Sequence, residues 1–199
     1  MKHAPALLVI DMQNALAAFA HRARETVAVI AGLQARARAA GVPVITVQHH
    51  GNGLEPGTDG WRVVPELAPA EGESVIAKTS ADSFLDTGLD GALTALGTTE
   101  LLVTGFATEI CVDTTARQAL SRRYDLVLVA DGHTTSVREA GGGPYAEPDA
   151  SVAHHNEIFR NLDFPGRSIR VLPGADVDFG PPPARRPASG VRMRPAASS

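Results

Sequence analysis

The chain has 199 residues, of which 44% are hydrophobic and 20% charged, and its formal net charge is −4. That length suits one domain with a full core better than two small ones. The slight negative charge gives no reason to expect a surface for nucleic acid or anionic membrane, and no stretch is long enough to span a bilayer. A single cysteine, Cys111, can form no internal disulfide, so a reducing cytoplasm is the expected compartment. At the N-terminus, "MKHAPALLVIDMQN" holds an apolar run too short for a secretory signal, and Asp11 interrupts it.

Taken in chain order, short runs rich in Val, Ile and Leu alternate with amphipathic segments. The runs are "ALLVI" (6–10), "VPVITV" (42–47), "SVIA" (74–77), "LLVTGF" (101–106), "LVLVA" (126–130) and "IRVL" (169–172). Continuous apolar runs of this length predict strands buried on both faces, as in parallel sheets. Between the second and first of these, Val27, Ile30, Leu33 and Ala37 share one side of a helix that Gly41 can end. Leu89, Leu93 and Leu96 form a second stripe, stopped by Gly97. Residues 108–121 form a third helix, and residues 149–162 a fourth with Asp149 as N-cap. The alternation predicts a three-layer α/β fold: a doubly wound parallel sheet of about six strands with helices on both faces. Residues 49–73 break the rhythm with a long loop that contains Trp61, and such loops are usually functional. From Gly180 onward the Pro-, Arg- and Ala-rich tail has no apolar periodicity, so the domain is expected to span 1–179 and the tail 180–199.

In open parallel sheets, ligands bind beyond the carboxyl ends of the strands, where strand order reverses. With strand order 3-2-1-4-5-6, strands 1 and 4 flank that point. Asp11 follows the first strand, and Cys111 lies in the first turn of the helix after the fourth. Lys78, after the third, stands one strand further out with a side chain long enough to cover the gap. Singly, each has an ordinary structural reading. A lone cysteine is commonly buried filler, an aspartate ending a strand is commonly a turn residue, and a lysine there commonly faces solvent. An acid, an ammonium and a thiol converging from three distant segments carry more weight. A helix N-terminus and a nearby lysine are both expected to lower the thiol pKa.

The segments "LLVIDMQNA", "VIAKTSADSF" and "VTGFATEICVDTTARQA" resemble those of the isochorismatase-like cysteine hydrolases, over roughly residues 5–175. That group includes nicotinamidases, N-carbamoylsarcosine amidase and streptothricin hydrolase. The resemblance implies a triad of Cys111, Asp11 and Lys78. It also implies a cis peptide between Phe106 and Ala107, and an oxyanion hole made by the N–H groups of Ala107 and Cys111. Nicotinamidases carry an Asp-x-His metal motif after the second strand. Here the stretch is "TVQHHGNGL", whose adjacent His49 and His50 lack the acidic partner, so no metal and no other cofactor is expected. Isochorismatases proper are expected to lack the cysteine, so its presence favours hydrolysis of an amide, lactam or carbamoyl C–N bond through a thioester.

Other classes fit less well. "DMQNAL" is not the Gly-x-Gly-x-x-Gly of a dinucleotide site, "GGG" at 141–143 follows the wrong strand, and no second cysteine exists to resolve a redox thiol. A non-catalytic or isochorismatase-type binding protein on the same fold is the alternative. Gln13, His49, Trp61, Phe84 and Phe106 are the expected lining of a pocket for a small amide-type molecule, with His50 and His133 near the same edge. A homo-dimer or homo-tetramer is the expected assembly.

Overall fold

The computed structural model describes residues 3–138 and 146–180. The "GGG" stretch and the tail from residue 181 lie outside the described residues. Six parallel strands form one sheet: β1 (Pro5–Ile10), β2 (Val44–His49), β3 (Ser74–Lys78), β4 (Glu100–Phe106), β5 (Asp125–Thr134) and β6 (Ile169–Leu172). Their order is β3-β2-β1-β4-β5-β6, as the sequence leads one to expect.

The apolar runs explain the layers. In β1, Ala6, Leu8 and Ile10 enter one core while Leu7 and Val9 enter the other, because successive side chains leave opposite faces of a strand. A short helix α1 (Asn14–Ala17) follows β1, and then α2 (Ala23–Ala39) covers the Leu7 face with Ile30, Leu33 and Ala37. Helices α3 (Leu89–Ala95), α4 (Asp113–Ser121) and α5 (Pro148–Asn161) cover the other face, with Leu89, Leu93, Ala116, Ala119 and Phe159 buried against it. Gly41 ends α2 in the left-handed region at φ 68°, and the Val42 N–H returns to the Ala37 carbonyl.

Four expectations need correction. β3 and β6 are edge strands and not buried on both faces: in β3 Val75 is 46% exposed, Ala77 on the same face is exposed too, and every residue of β6 is only half-buried. Leu96 falls outside the buried stripe of α3, at its C-cap, and is also exposed. Glu147, not Asp149, occupies the N-cap position of α5, and the Asp149 carboxylate instead accepts hydrogen bonds from His21 and Arg22. β5 runs well past residue 130, because a bulge between its Leu128 and His133 pairings inserts extra residues and carries the strand on to Thr134.

The long loop after β2 is tied down. Gln13 and Val63 form an antiparallel bridge, the Asn14 N–H donates to the Arg62 carbonyl, and the Val64 N–H donates to that of Met12. Among the described residues, no helix is long and apolar enough to cross a membrane.

Candidate active site

Three chain segments meet beyond the carboxyl ends of β1, β3 and β4. Asp11 immediately follows β1 and takes a left-handed backbone at φ 53°, a region aspartate tolerates better than most residues. Its N–H donates to the Val47 carbonyl at 2.9 Å, which fixes it to the end of β2. On the other side, β4 passes unusually close. Gly105 has φ 121°, and a Cβ there would lie 2.0 Å from the Ile10 carbonyl oxygen. Only glycine permits that approach, and it brings the segment after β4 against Asp11.

That segment starts at the Phe106–Ala107 peptide, which is cis. Residues Thr108–Val112 then form a single π-helical turn before α4, closed by a bond from the Val112 N–H to the Ala107 carbonyl at 3.1 Å. Such turns recur at functional positions. Cys111 sits in this turn and not in the first turn of a regular α-helix.

Lys78, the last residue of β3, lies two strands from β1, one more than expected from the sequence, and its side chain crosses the end of β2 to reach Asp11. The ammonium is 1% exposed. Its Nζ is 2.6 Å from Asp11 Oδ2, 2.9 Å from the Ser80 carbonyl, 3.2 Å from Cys111 Sγ and 3.3 Å from His49 Nδ1. The second oxygen of Asp11, Oδ1, is buried with no N–H or O–H partner among the described residues, and the Cys111 thiol lies within hydrogen-bonding reach of the same carboxylate.

The electrostatics overturn one expectation. The thiol is not poised as a thiolate; its pKa is pushed up to about 11, first by burial and next by the Asp11 carboxylate, against the pull of Lys78. Burial also raises Asp11, with Lys78 opposing. The resting group is therefore best described as an ammonium, a carboxylate and a neutral thiol, with no net charge to desolvate.

The expected pocket residues separate into different roles. His49 joins the cluster through Nδ1, and burial followed by the Lys78 charge lowers its pKa. Gln13 is fully buried and acts as a backbone clamp: its amide donates to the carbonyls of His49 and Trp61, and its Oε1 accepts the His49 N–H. Trp61 is half-buried and reaches the site through that carbonyl. Phe84 lies in the core, stacked on Tyr124 just before β5, because it follows the Ser83–Thr115 hydrogen bond that turns it onto the α4 face. Phe106 is buried and meets Phe19 edge-on at 5.7 Å. His50 is half-buried, and its N–H donates to the Lys78 carbonyl. His133 is 2% exposed with both ring nitrogens engaged, one with Thr108 in the π turn and one with Asn156 on α5. Neither ring nitrogen is left free for a further hydrogen bond.

Sequence reasoning missed that Thr108–His133–Asn156 chain. Its trace was Asn156, a polar residue three positions before Phe159 on the buried stripe of α5. It also missed Glu109, which lies in the π turn itself, accepts from Thr135 and pairs with Arg138. Next to Cys111, Glu109 and Ile110 line a cavity of about 670 Å³ together with Ser136, Arg138, Ala146 and Ser151. A metal does not fit the His49–His50 stretch, because the Nδ1 lone pair of His49 already faces an ammonium.

Fold and site together define a doubly wound α/β protein with a buried acid and ammonium and a half-buried thiol at its topological switch point. The chain belongs to the isochorismatase family, whose domain matches residues 5–141. A streptothricin hydrolase from Streptomyces noursei is 36% identical over 196 residues, covering 93% of this chain and 74% of that protein. A second streptothricin hydrolase from the same organism is 42% identical over 136 residues, 65% of this chain, and the match spans only 49% of that relative's length. The ureidoacrylate amidohydrolase RutB of Variovorax paradoxus is 32% identical, with 77% of this chain and 75% of that protein covered. Among solved structures, an isochorismatase from Pseudomonas putida KT2440 superimposes with a TM-score of 0.78 at 28% identity, covering 87% of this chain and 90% of that one. The N-carbamoylsarcosine amidase of Thermoplasma acidophilum gives a TM-score of 0.68 at 25% identity, covering 89% and 99%.

Proposed function

We propose that the protein is a cysteine-dependent hydrolase that cleaves a C–N bond (amide, lactam or carbamoyl) of a small molecule through a thioester. The observation that carries this reading is the Lys78 ammonium within 2.6 Å of Asp11 and 3.2 Å of Cys111, beside an unpartnered Asp11 Oδ1. The relatives named as hydrolases of streptothricin and ureidoacrylate point the same way.

In this mechanism Asp11 Oδ1 takes the thiol proton as Cys111 Sγ bonds to the substrate carbonyl carbon. The N–H groups of Ala107 and Cys111 stabilise the oxyanion. Collapse breaks the C–N bond, and Asp11 returns the proton to the leaving nitrogen. A water, deprotonated by Asp11, then attacks the thioester, releasing the acid and restoring the thiol. Lys78 remains an ammonium throughout and balances whichever of the two acids is ionised. The raised thiol suits a sulfur deprotonated only during attack.

We place the protein in the cytoplasm, on its single thiol, as a homo-dimer or homo-tetramer. Phe19, Ile110 and Val137, each more than 40% exposed beside the site, favour a covered face. The deciding experiment screens small amides, ureas and lactams for released amine, with Cys111→Ala as control. Turnover that survives in that variant would remove the thiol from the mechanism.

A further inference from the structure

The ammonium of Lys78 has three protons, and four acceptors surround it. Two partners are close: Asp11 Oδ2 at 2.6 Å and the Ser80 carbonyl at 2.9 Å. Those bonds hold two of the protons. The remaining two acceptors, Cys111 Sγ at 3.2 Å and His49 Nδ1 at 3.3 Å, are nearly equidistant from Nζ and compete for the third.

Resting on the hydrolase reading above, we propose that His49 is a positioning residue whose Nδ1 holds the third proton of Lys78 while Cys111 is a thiol, and yields it to sulfur as the thiolate forms. A thiol sulfur is a weak acceptor and an imidazole nitrogen a good one, so the resting proton belongs to His49. A thiolate carries a full charge, and a charge-assisted bond to it outweighs the neutral bond to imidazole. The exchange needs only a small rotation at the end of one side chain. His49 is built into this place: Gln13, itself fully buried, clamps both its N–H and its carbonyl at 2.9 Å. Accepting at Nδ1 also fixes the neutral ring with its proton on Nε2. The titratable and charged groups facing the ring are Lys78 on β3, Asp11 after β1, Cys111 through their shared ammonium, and the adjacent His50.

The test uses the full chain and needs no substrate, because Cys111 is its only thiol. Iodoacetamide labelling is followed by intact mass against pH in wild type, His49→Phe, His49→Gln and Lys78→Met. Each profile is normalised to its high-pH plateau, which removes differences in access. Phenylalanine keeps the bulk of the ring but removes the acceptor, leaving sulfur without a competitor. The labelling midpoint of His49→Phe is expected to fall by about one pH unit, a roughly ten-fold faster reaction below the midpoint. Glutamine offers an acceptor oxygen to Nζ and is expected to restore the wild-type midpoint. A wild-type profile in His49→Phe overturns the inference, and so does a glutamine variant that behaves like phenylalanine. If Lys78→Met raises the midpoint while His49→Phe leaves it unmoved, only the role of His49 fails. If Lys78→Met leaves the profile unchanged, the lysine is not coupled to the thiol, and the hydrolase reading of the trio fails with it.

Discussion

His133 makes the acid stability of this protein a measurable property of its core. The ring is buried between the π turn that holds Cys111 and α5. Asn156 Nδ2 donates to the Ala130 carbonyl at 2.9 Å, which leaves Oδ1 to accept from His133 Nε2 at 3.0 Å. Nδ1 is then the acceptor for the Thr108 hydroxyl at 2.8 Å. The neutral ring satisfies every partner, and a proton added to it would leave a buried charge. Burial accordingly lowers its pKa from 6.5 to about 4. With the folded value below the unfolded one, the unfolded chain binds the extra proton first. The contribution is intact above pH 6.5 and is lost as pH falls towards about 4. At 1.36 kcal/mol per unit, the full loss is roughly 3 kcal/mol. Urea unfolding of wild type and His133→Gln at pH 7 and pH 4.5 measures it. Glutamine costs some stability at pH 7, but carboxylates affect both proteins alike on acidification. The wild type is therefore expected to lose about 2 kcal/mol more than the variant between the two pH values. Equal losses would refute a histidine held neutral in the fold.

Lys78→Met and Asp11→Asn are each expected to lower turnover by several orders of magnitude, and the double variant little further, since residues acting as one unit are non-additive; multiplicative losses, read from steady-state rates, would make them independent. Gly105→Ala forces a side chain into the Ile10 carbonyl and should cost on the order of 4 kcal/mol or more, measured by urea unfolding; a variant of near wild-type stability would mean that β4 can shift without harm. With the domain proposed to end at Phe179, truncation after that residue is expected to leave the melting temperature and Cys111 labelling unchanged, and a large drop in melting temperature would assign the tail a packing role.

The sheet was legible because buried parallel strands leave continuous apolar runs, and four of the six strands are interior. β3 and β6 were misread in burial because an edge strand and a central one can carry the same short run of apolar letters. The convergence of Asp11, Lys78 and Cys111 followed from strand order, which places strand ends without any knowledge of side chains. What lay beyond reach depended on distances. "TVQHHG" cannot tell which histidine turns towards Lys78, since that is decided by Gln13, 36 residues away, gripping the His49 backbone. Phe84 is aromatic and near Lys78 in sequence, yet the turn through Ser83 sends it into the core. The thiol pKa failed for a similar reason: position at a helix start is visible in sequence, whereas burial beside a carboxylate is not.

That failure bears on how the site can work. A lysine that is 1% exposed needs an anion, and the cluster offers two acids for one ammonium. Ionising both would leave an unbalanced negative charge in a buried place, which burial penalises heavily. Asp11 and Cys111 thus hold one proton between them, and the upward shifts of both groups describe that shared proton from its two ends. Moving the proton from sulfur to Asp11 Oδ1 transfers the negative charge without changing the total, so the expensive step of creating a charge in the core never occurs. Lys78 stays within reach of both sites and need not travel. A free thiolate at rest would gain nothing here: it would have to be generated against burial and would be exposed to alkylation and oxidation between turnovers. In the proposed mechanism, ionisation of Cys111 is instead reserved for the moment when an electrophilic carbon takes the electron pair.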